Sequence, residues 1–139
     1  MLTAKMKWAG GLKFEGTSAY GHLIATDGGK GHGGDEEGYQ PTELLLFGIA
    51  GCTGIDVVRI LEKQRQQLKS LEIEITAHQN DKYPKPFHTI EVKFIATGTD
   101  LNPKKLGLAI AMSESKYCAV SQTVENAGKV VSSYEIREE

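Results

Sequence analysis

The longest apolar stretch of the chain, from Pro41 to Leu61, predicts one long helix. Its apolar positions cover nearly the whole circumference of a helix, so this helix must be buried, either inside a sheet-wrapped core or against a second copy of itself. Pro41 suits the first helical turn, and Glu43 favours the positive end of the helix dipole. Charged residues return at 62–65, where the helix reaches the surface.

Alternation of apolar and polar residues predicts strands on both sides of this helix. Residues 3–9 and 12–15 share a two-residue period on either side of a glycine pair, which predicts a β-hairpin. Residues 20–26 continue as a third short strand. After the helix, 71–78 and 90–97 alternate clearly, so each of these strands is expected to bury one face and expose the other.

The last third of the chain predicts two shorter helices and a final strand. Asn102 is a suitable N-cap for the first of these helices. Ser115 starts the next helix, which is expected to stop near Gly128, because glycine commonly ends helices. Residues 130–136 form the final strand. The order β-β-β-α-β-β-α-α-β, with hairpin-length connections, indicates an α+β fold with mostly antiparallel strands.

The length of the chain indicates a single domain, since 139 residues bury one core and leave no room for a second. No internal repeat or low-complexity tract is visible. Within the domain 1–139 we expect N-terminal strands at 1–27, a glycine-rich loop at 28–40, the central helix at 41–67, and the other strands and helices at 68–139.

The composition is that of an ordinary soluble protein. A formal net charge of −2 with 24% charged residues provides no basic excess for binding nucleic acid or an anionic membrane. The N-terminus lacks the layout of a signal peptide, and glycines interrupt the long apolar helix. We therefore expect a cytoplasmic protein without nucleic-acid or membrane partners.

The segment 28–38 contains six glycines and predicts a loop that is mobile unless a ligand or a partner orders it. Glycine-rich loops bind phosphate when they precede a helix and a lysine is in place. Here the helix is preceded by three acids, Asp35, Glu36 and Glu37. Phosphate binding is therefore disfavoured.

The two cysteines, Cys52 and Cys118, are the candidate reactive groups. Their surroundings contain no Cys-x-x-Cys or His-x-x-x-His spacing, so no zinc site is expected. With Ser115 as N-cap, Cys118 lies at the third helical position, where free N–H groups and Lys116 lower its pKa. Cys52 lies about three turns into its helix, and Asp56 one turn later opposes a thiolate. These local arguments leave open whether the thiols react or serve as small apolar residues.

The histidines and several aromatic residues are expected to have ordinary surface and packing roles. The histidines are expected to be solvated surface residues: His22, His32, His78 and His88. Four aromatic residues are expected to pack on a sheet face, or else to line an apolar pocket: Trp8, Phe14, Tyr20 and Tyr134.

Two cysteine motifs together carry a family resemblance. The first is the segment Pro41-Thr42-Glu43-Leu44-Leu45 leading to Ala50-Gly51-Cys52-Thr53, and the second, after two strands, is Lys116-Tyr117-Cys118-Ala119-Val120. This arrangement resembles the two-cysteine pattern of the OsmC/Ohr family of osmotically induced and organic hydroperoxide resistance proteins. The resemblance covers nearly the whole chain. Further short motifs make the chain similar to the YhfA-like branch: Lys7-Trp8, Ile55-Asp56-Val57-Val58 and Ser133-Tyr134-Glu135.

The resemblance implies an OsmC-like α+β fold, in which antiparallel sheets wrap around long cysteine-bearing helices in an intertwined homodimer. It also implies reduction of organic hydroperoxides in oxidative-stress defence. Cys52 is then the peroxidatic thiol that forms a sulfenic acid, and Cys118 resolves it into a Cys52–Cys118 disulfide. A dithiol reductant of the lipoyl or thioredoxin type regenerates the thiols, and no metal or other cofactor is expected.

The sequence departs from the family pattern around the reactive thiol. Well-studied members carry an arginine in the N-terminal region and a glutamate directly after the proline that opens the cysteine helix. Here Thr42 occupies that position, and Glu43 follows one residue later, turned by about 100°. No arginine precedes Arg59, so a lysine, Arg59 or His22 is left to supply the positive charge. Asp56 is expected to position Arg59 or to join a buried network across the dimer.

Two alternatives without enzymatic activity are also compatible with the residues. In one, a stress-related protein of the same fold binds a small apolar or electrophilic ligand at the dimer interface, and its thiols act as a sensor or as filler. The other is a purely structural dimer. The sensor predicts oxidation without turnover, whereas the structural dimer predicts inert thiols.

Overall fold

The computed structural model describes residues 1–126, whose strands and α-helices follow the predicted order. The α+β class with antiparallel sheets and one long helix is confirmed. The predicted last strand, 130–136, lies outside the described residues. The elements are β1 (Met6–Trp8), β2 (Phe14–Thr17), β3 (Leu23–Thr26), α1 (Pro41–Lys63), β4 (Gln67–Gln79), β5 (Phe87–Thr99), α2 (Pro103–Met112) and α3 (Ala119–Asn126).

The chain divides into two units, one from Met1 to Gly48 and one from Ile49 onward. The boundary falls inside α1, which is continuous from Pro41 to Lys63. The first unit therefore contains the start of this helix and the second contains the rest.

The first unit contains a three-stranded antiparallel sheet in the order β1-β2-β3. The predicted hairpin is confirmed, with Trp8 opposite Phe14. Its glycine turn requires positive φ values, which are 99° at Gly10 and 54° at Gly11. The third strand starts later than predicted, at Leu23, because residues 18–22 form a tight turn closed by backbone hydrogen bonds.

The aromatic residues of this unit do not pack on the sheet in the way the sequence predicts. Trp8 is 63% exposed, and its indole Nε1 donates to the Gly11 carbonyl oxygen at 2.9 Å. Phe14 is 42% exposed and Tyr20 is 91% exposed. The prediction is wrong for these three residues in the single chain, because the short strands carry too little apolar surface to cover them. Tyr134 lies outside the described residues.

A single carboxylate organises the glycine-rich loop. The sequence predicted a loop that is mobile unless a ligand or a partner orders it, but the loop has a hydrogen-bond acceptor within its own chain. Asp27, 4% exposed, accepts backbone N–H bonds from Gly28 at 2.7 Å, Glu37 at 3.1 Å and Asp35 at 3.3 Å. The bond from Glu37 contributes most to lowering the pKa of Asp27. The loop also contains a 3₁₀ turn, Lys30–His32.

Protonation of Asp27 is expected to loosen the loop. Because the folded-state pKa is depressed, the stabilisation is complete above the ordinary value of 3.8 and is lost as the pH falls below it. Asp27→Asn removes the charge at every pH, so amide hydrogen exchange at Asp35 and Glu37 should accelerate near neutral pH. Equal exchange rates in the variant and the wild type would contradict this role for the carboxylate.

The second unit is built on the long antiparallel hairpin of β4 and β5. Both strands are longer than predicted, since pairing runs from Gln67 opposite Thr99 to Gln79 opposite Phe87. A register shift between Leu68 and Ser70 explains the missed residues, because a bulge interrupts the two-residue period that marks a strand in a sequence. The N-cap of α2 is confirmed, as the side chain of its Asn102 accepts from the Lys104 N–H.

The helix α1 ends at Lys63, four residues before the predicted end at 67. Arg65 adopts a left-handed conformation with φ 56°, and its N–H donates to the Glu62 carbonyl oxygen at 3.0 Å. The Gln66 N–H donates to the Leu61 carbonyl oxygen at 2.9 Å. These two bonds form a Schellman motif that stops the helix. Because arginine replaces the usual glycine there, the sequence contained no signal for it.

Only one stripe of α1 is buried within the chain: Ile49, Thr53, Val57 and Leu61. Val57 and Leu61 form the core with Ala109 of α2, and partly buried residues of β4 and β5 pack around them. On the opposite side Ile55 is 57% exposed and Val58 is 43% exposed. The chain's own core therefore buries one side of α1 and leaves the other side exposed. By length and composition α1 would also suffice to cross a membrane, a test that core helices pass as well.

Candidate active site

The first candidate thiol, Cys52, lies in the middle of α1 and is half-buried. Its position on the helix lies beside the buried stripe, so the sulfur is neither fully in the core nor on the open face. The neighbour one turn before the thiol, Gly48, and the neighbour one turn after it, Asp56, are also half-buried. A side chain at this position is accessible to a small molecule.

The second thiol, Cys118, is the N-cap of α3, which corrects the predicted capping residue. Its backbone is extended, with φ −79° and ψ 102°, and its sulfur accepts the N–H of Ser121 at 3.3 Å. Ser115 was expected to cap this helix, but its hydroxyl donates to the Ala111 carbonyl oxygen instead, within a π-helical turn, Ser113–Tyr117. Cys118 is fully buried.

The fold brings the two thiols close enough for each to shift the pKa of the other, although they are far apart in sequence. Burial raises the pKa of Cys52, and the hydrogen bond with Cys118 and the charge of Asp56 act in the same direction. Burial also opposes charge on Cys118, but hydrogen bonds from Cys52 and Ser121 outweigh it and lower the pKa of Cys118. Both thiols are free, so the pair is present in its reduced state.

A buried polar link joins the two cysteine-bearing segments behind the thiols. The hydroxyl of Ser113, which is fully buried, donates to Asp56 Oδ2 at 2.7 Å. The Ser113 carbonyl oxygen accepts the Cys118 N–H at 2.7 Å. Asp56 therefore anchors the turn that carries Cys118. Of its two predicted roles, the positioning of Arg59 does not fit this bond, whereas membership of a buried polar network does, here within one chain. In the described part of the chain no salt bridge joins Asp56 to Arg59.

The other predicted accessory residues have separate positions. Glu43 accepts the Gln40 N–H at 2.9 Å and so caps the start of α1. His22 is exposed in the turn between β2 and β3. Arg59 is exposed and lines a cleft of about 340 Å³ together with Asp56, Lys63 and Tyr117.

A larger cleft of about 520 Å³ lies in the second unit and includes a residue that contacts Cys118. Ile49, one turn before Cys52 on the same helix, lines it, and so does Ser121, which donates to Cys118. The other walls come mainly from β5 and α3, with a mixture of apolar and polar side chains: Phe87, His88, Thr89, Ile90, Val92, Glu114, Val124 and Glu125. Its size and lining suit a small amphipathic molecule.

Two residues of the site, Ser113 and Ser121, are absent from the sequence-based prediction. Ser121 follows Cys118 by three positions, the N-cap to N3 spacing, but cysteine is not among the usual capping residues, so the signal was weak. Ser113 carried no signal, because its contact with Asp56 joins residues on different helices. Among residues 1–126 no cluster of three or more His, Cys, Asp or Glu side chains suits a metal ion.

Comparison with known proteins agrees with this fold. A family model described as OsmC-like protein matches residues 33–133. Protein YhfA of Escherichia coli (strain K12) is 38% identical over 135 residues, which are 97% of this chain and 98% of that protein. A crystal structure of a hypothetical protein from Aquifex aeolicus VF5 superposes with a TM-score of 0.80 and 31% identity, over 91% of this chain and 89% of that one. The organic hydroperoxide resistance protein OhrB of Bacillus subtilis shares the fold at 21% identity and a TM-score of 0.56, over 87% and 89% of the two chains. The chain belongs to the OsmC-like family.

Proposed function

We propose that this protein reduces organic hydroperoxides with the thiols of Cys52 and Cys118, as a defence against oxidative stress. The observation that carries the proposal is the proximity of the two thiols, each of which shifts the pKa of the other. Two thiols in contact can form a disulfide without a large rearrangement of the backbone. The likeness to a hydroperoxide resistance protein supports the same chemistry.

The reaction proceeds in two steps at the sulfurs. The Cys52 thiolate attacks the O–O bond of the hydroperoxide, which yields a Cys52 sulfenic acid and releases the alcohol. The Cys118 sulfur then attacks the sulfenic sulfur, which expels the hydroxyl as water and forms the Cys52–Cys118 disulfide. The half-buried position of Cys52 and the full burial of Cys118 support this order, because the peroxide reaches the more accessible sulfur first.

A dithiol reductant completes the cycle by thiol–disulfide exchange, and its chemistry is of the lipoyl or thioredoxin type. The hydroperoxide occupies the cleft beside Ile49 and Ser121, whose apolar part accepts a hydrocarbon tail. The protein works in the cytoplasm, where free thiols stay reduced.

The functional unit is a homodimer in which the exposed side of α1 packs against a second copy. Ile55 and Val58 are apolar and exposed there, and Gly51 has open space at its Cα, so another helix can approach closely.

Ile55→Glu should convert the dimer to monomers, because it buries a charge at the interface. Sedimentation equilibrium measures this change. Leu108→Glu, at a similarly exposed leucine of α2, is the matched control and should remain dimeric. A monomeric wild type would contradict the assembly.

Catalytic turnover tests the proposed function. The reduced protein is mixed with cumene hydroperoxide and an excess of dihydrolipoamide or reduced thioredoxin, and residual peroxide is followed over time. We expect many equivalents of peroxide to be consumed per chain with at least one of the two dithiols. Oxidation of the thiols without turnover with either reductant would favour a redox sensor, and unreactive thiols would favour a structural role. Either result would overturn the proposal.

A further inference from the structure

The surroundings of the two thiols differ in how well they stabilise a thiolate. Cys118 Sγ lies at the N-terminus of α3, where the Ser121 N–H donates to it and the Gln122 N–H closes the first helical turn on the Cys118 carbonyl oxygen. A charged sulfur is a stronger acceptor at this position than a neutral one, and it also complements the positive end of the helix dipole.

Cys52 has the opposite surroundings. It lies inside α1, where the backbone N–H groups are already bonded within the helix, and Asp56 one turn later disfavours a second negative charge. The Val120 N–H stabilises charge on either sulfur, so it does not distinguish them. Among the described residues the titratable groups of α1 that face Cys118 are Cys52 directly and Asp56 through Ser113.

The solvent accessibility of the two sulfurs is opposite to their ability to hold a negative charge. Cys118 is fully buried, whereas Cys52 is half-buried, so the sulfur that best holds the charge is not the one that a peroxide reaches. A proton transfer between the two sulfurs resolves this conflict. In the orientation favoured by the surroundings, the Cys52 S–H donates to the Cys118 thiolate.

We propose that Cys118 is the general base of the first step: its thiolate takes the proton of Cys52 and so generates the attacking thiolate. The chain has no arginine before Arg59 that could stabilise this thiolate instead. The inference rests on the proposed peroxidase function and assigns a second role to the resolving thiol. The raised pKa of Cys52 and the lowered pKa of Cys118 agree with the starting state, in which Cys52 holds the proton and Cys118 holds the negative charge.

The steps balance. The Cys118 thiolate takes the proton of Cys52, and the Cys52 thiolate attacks the hydroperoxide, which gives Cys52–SOH and an alkoxide. The alkoxide takes the proton back from Cys118 and leaves as the alcohol. The regenerated Cys118 thiolate attacks Cys52–SOH, forms the disulfide and expels hydroxide, which carries the negative charge into the solvent. The two sulfurs are oxidised by two electrons, and the O–O bond is reduced by two.

The first test needs no peroxide, so its failure is distinguishable from failure of the proposed function. The ultraviolet absorbance of the thiolate is titrated against pH in the reduced wild type, Cys52→Ser and Cys118→Ser. We expect one thiolate in the wild type and in Cys52→Ser below the ordinary thiol pKa of 9.0, and none in Cys118→Ser until a higher pH. A low-pH thiolate that survives in Cys118→Ser and disappears in Cys52→Ser would overturn the proposal.

A kinetic readout separates a base from a purely resolving thiol. The rate of sulfenic acid formation on Cys52 is measured with a single addition of peroxide and a sulfenic-acid trap. Loss of a general base should slow this step about a hundredfold in Cys118→Ser at neutral pH. The rate should recover at high pH, where Cys52 ionises without help. An unchanged rate at neutral pH would show that Cys118 acts only after the first step.

Ser121→Ala removes one donor to Cys118 and should raise the pH at which the thiolate of the pair appears.

Discussion

Replacing Cys52 with serine is expected to reduce hydroperoxide turnover to the background rate of the reductant alone. A serine hydroxyl is a poor nucleophile toward the O–O bond, and the remaining Cys118 is fully buried. The substitution changes one atom and leaves the stripe of α1 that forms the core untouched, so the variant should fold normally. The loss of activity is measured as peroxide consumption with an excess of dithiol.

The matched variant Cys118→Ser should fail at a different point. Its Cys52 can still react once, although slowly, and the sulfenic acid then persists because no second thiol removes it. A monothiol trap should label Cys52 in this variant and leave the Cys52→Ser variant unlabelled. Equal turnover in Cys52→Ser and the wild type would contradict the role of Cys52 in the chemistry.

Leu61→Ala is expected to have the largest effect on stability. Leu61 is 2% exposed and packs in the core with Val57 and Ala109. Removing a buried leucine side chain costs roughly 2–5 kcal/mol, because apolar burial is lost and a cavity is left behind. Urea unfolding of both proteins at the same chain concentration measures the difference, since dimerisation makes stability depend on concentration.

Leu108→Ala is the control, because Leu108 is 51% exposed on α2. The same atoms are removed from a position that is largely solvated, so the free energy of unfolding should change by roughly 1 kcal/mol or less. If both substitutions cost the same, the described core is not the one that stabilises the chain.

Elements with a strong period could be predicted from the sequence. The long apolar run of α1, the hairpin of β4 and β5, and the Asn102 cap of α2 each carry a local signal, and the structure confirms them. The predicted boundaries of these elements were wrong where a rarer local geometry replaced the usual one. Arg65 takes the left-handed position that glycine normally takes, and the register shift after Leu68 hides part of a strand.

Contacts between elements could not be predicted from local sequence patterns. The sequence identified both cysteines, but the proximity of the two thiols depends on the tertiary fold that brings Cys118 near α1. The bond from Ser113 to Asp56 has the same origin. The exposed aromatic residues show the reverse case, since Trp8 and Phe14 alternate as strand residues should, yet no partner surface of the sheet covers them.

The most direct measurement is the intact mass of the reduced protein after one equivalent of cumene hydroperoxide, followed by peptide mapping. We expect rapid loss of two hydrogens per chain and a peptide that joins Cys52 to Cys118 by a disulfide. An unchanged mass over many minutes, or oxygen added to the protein without a Cys52–Cys118 disulfide, would contradict it.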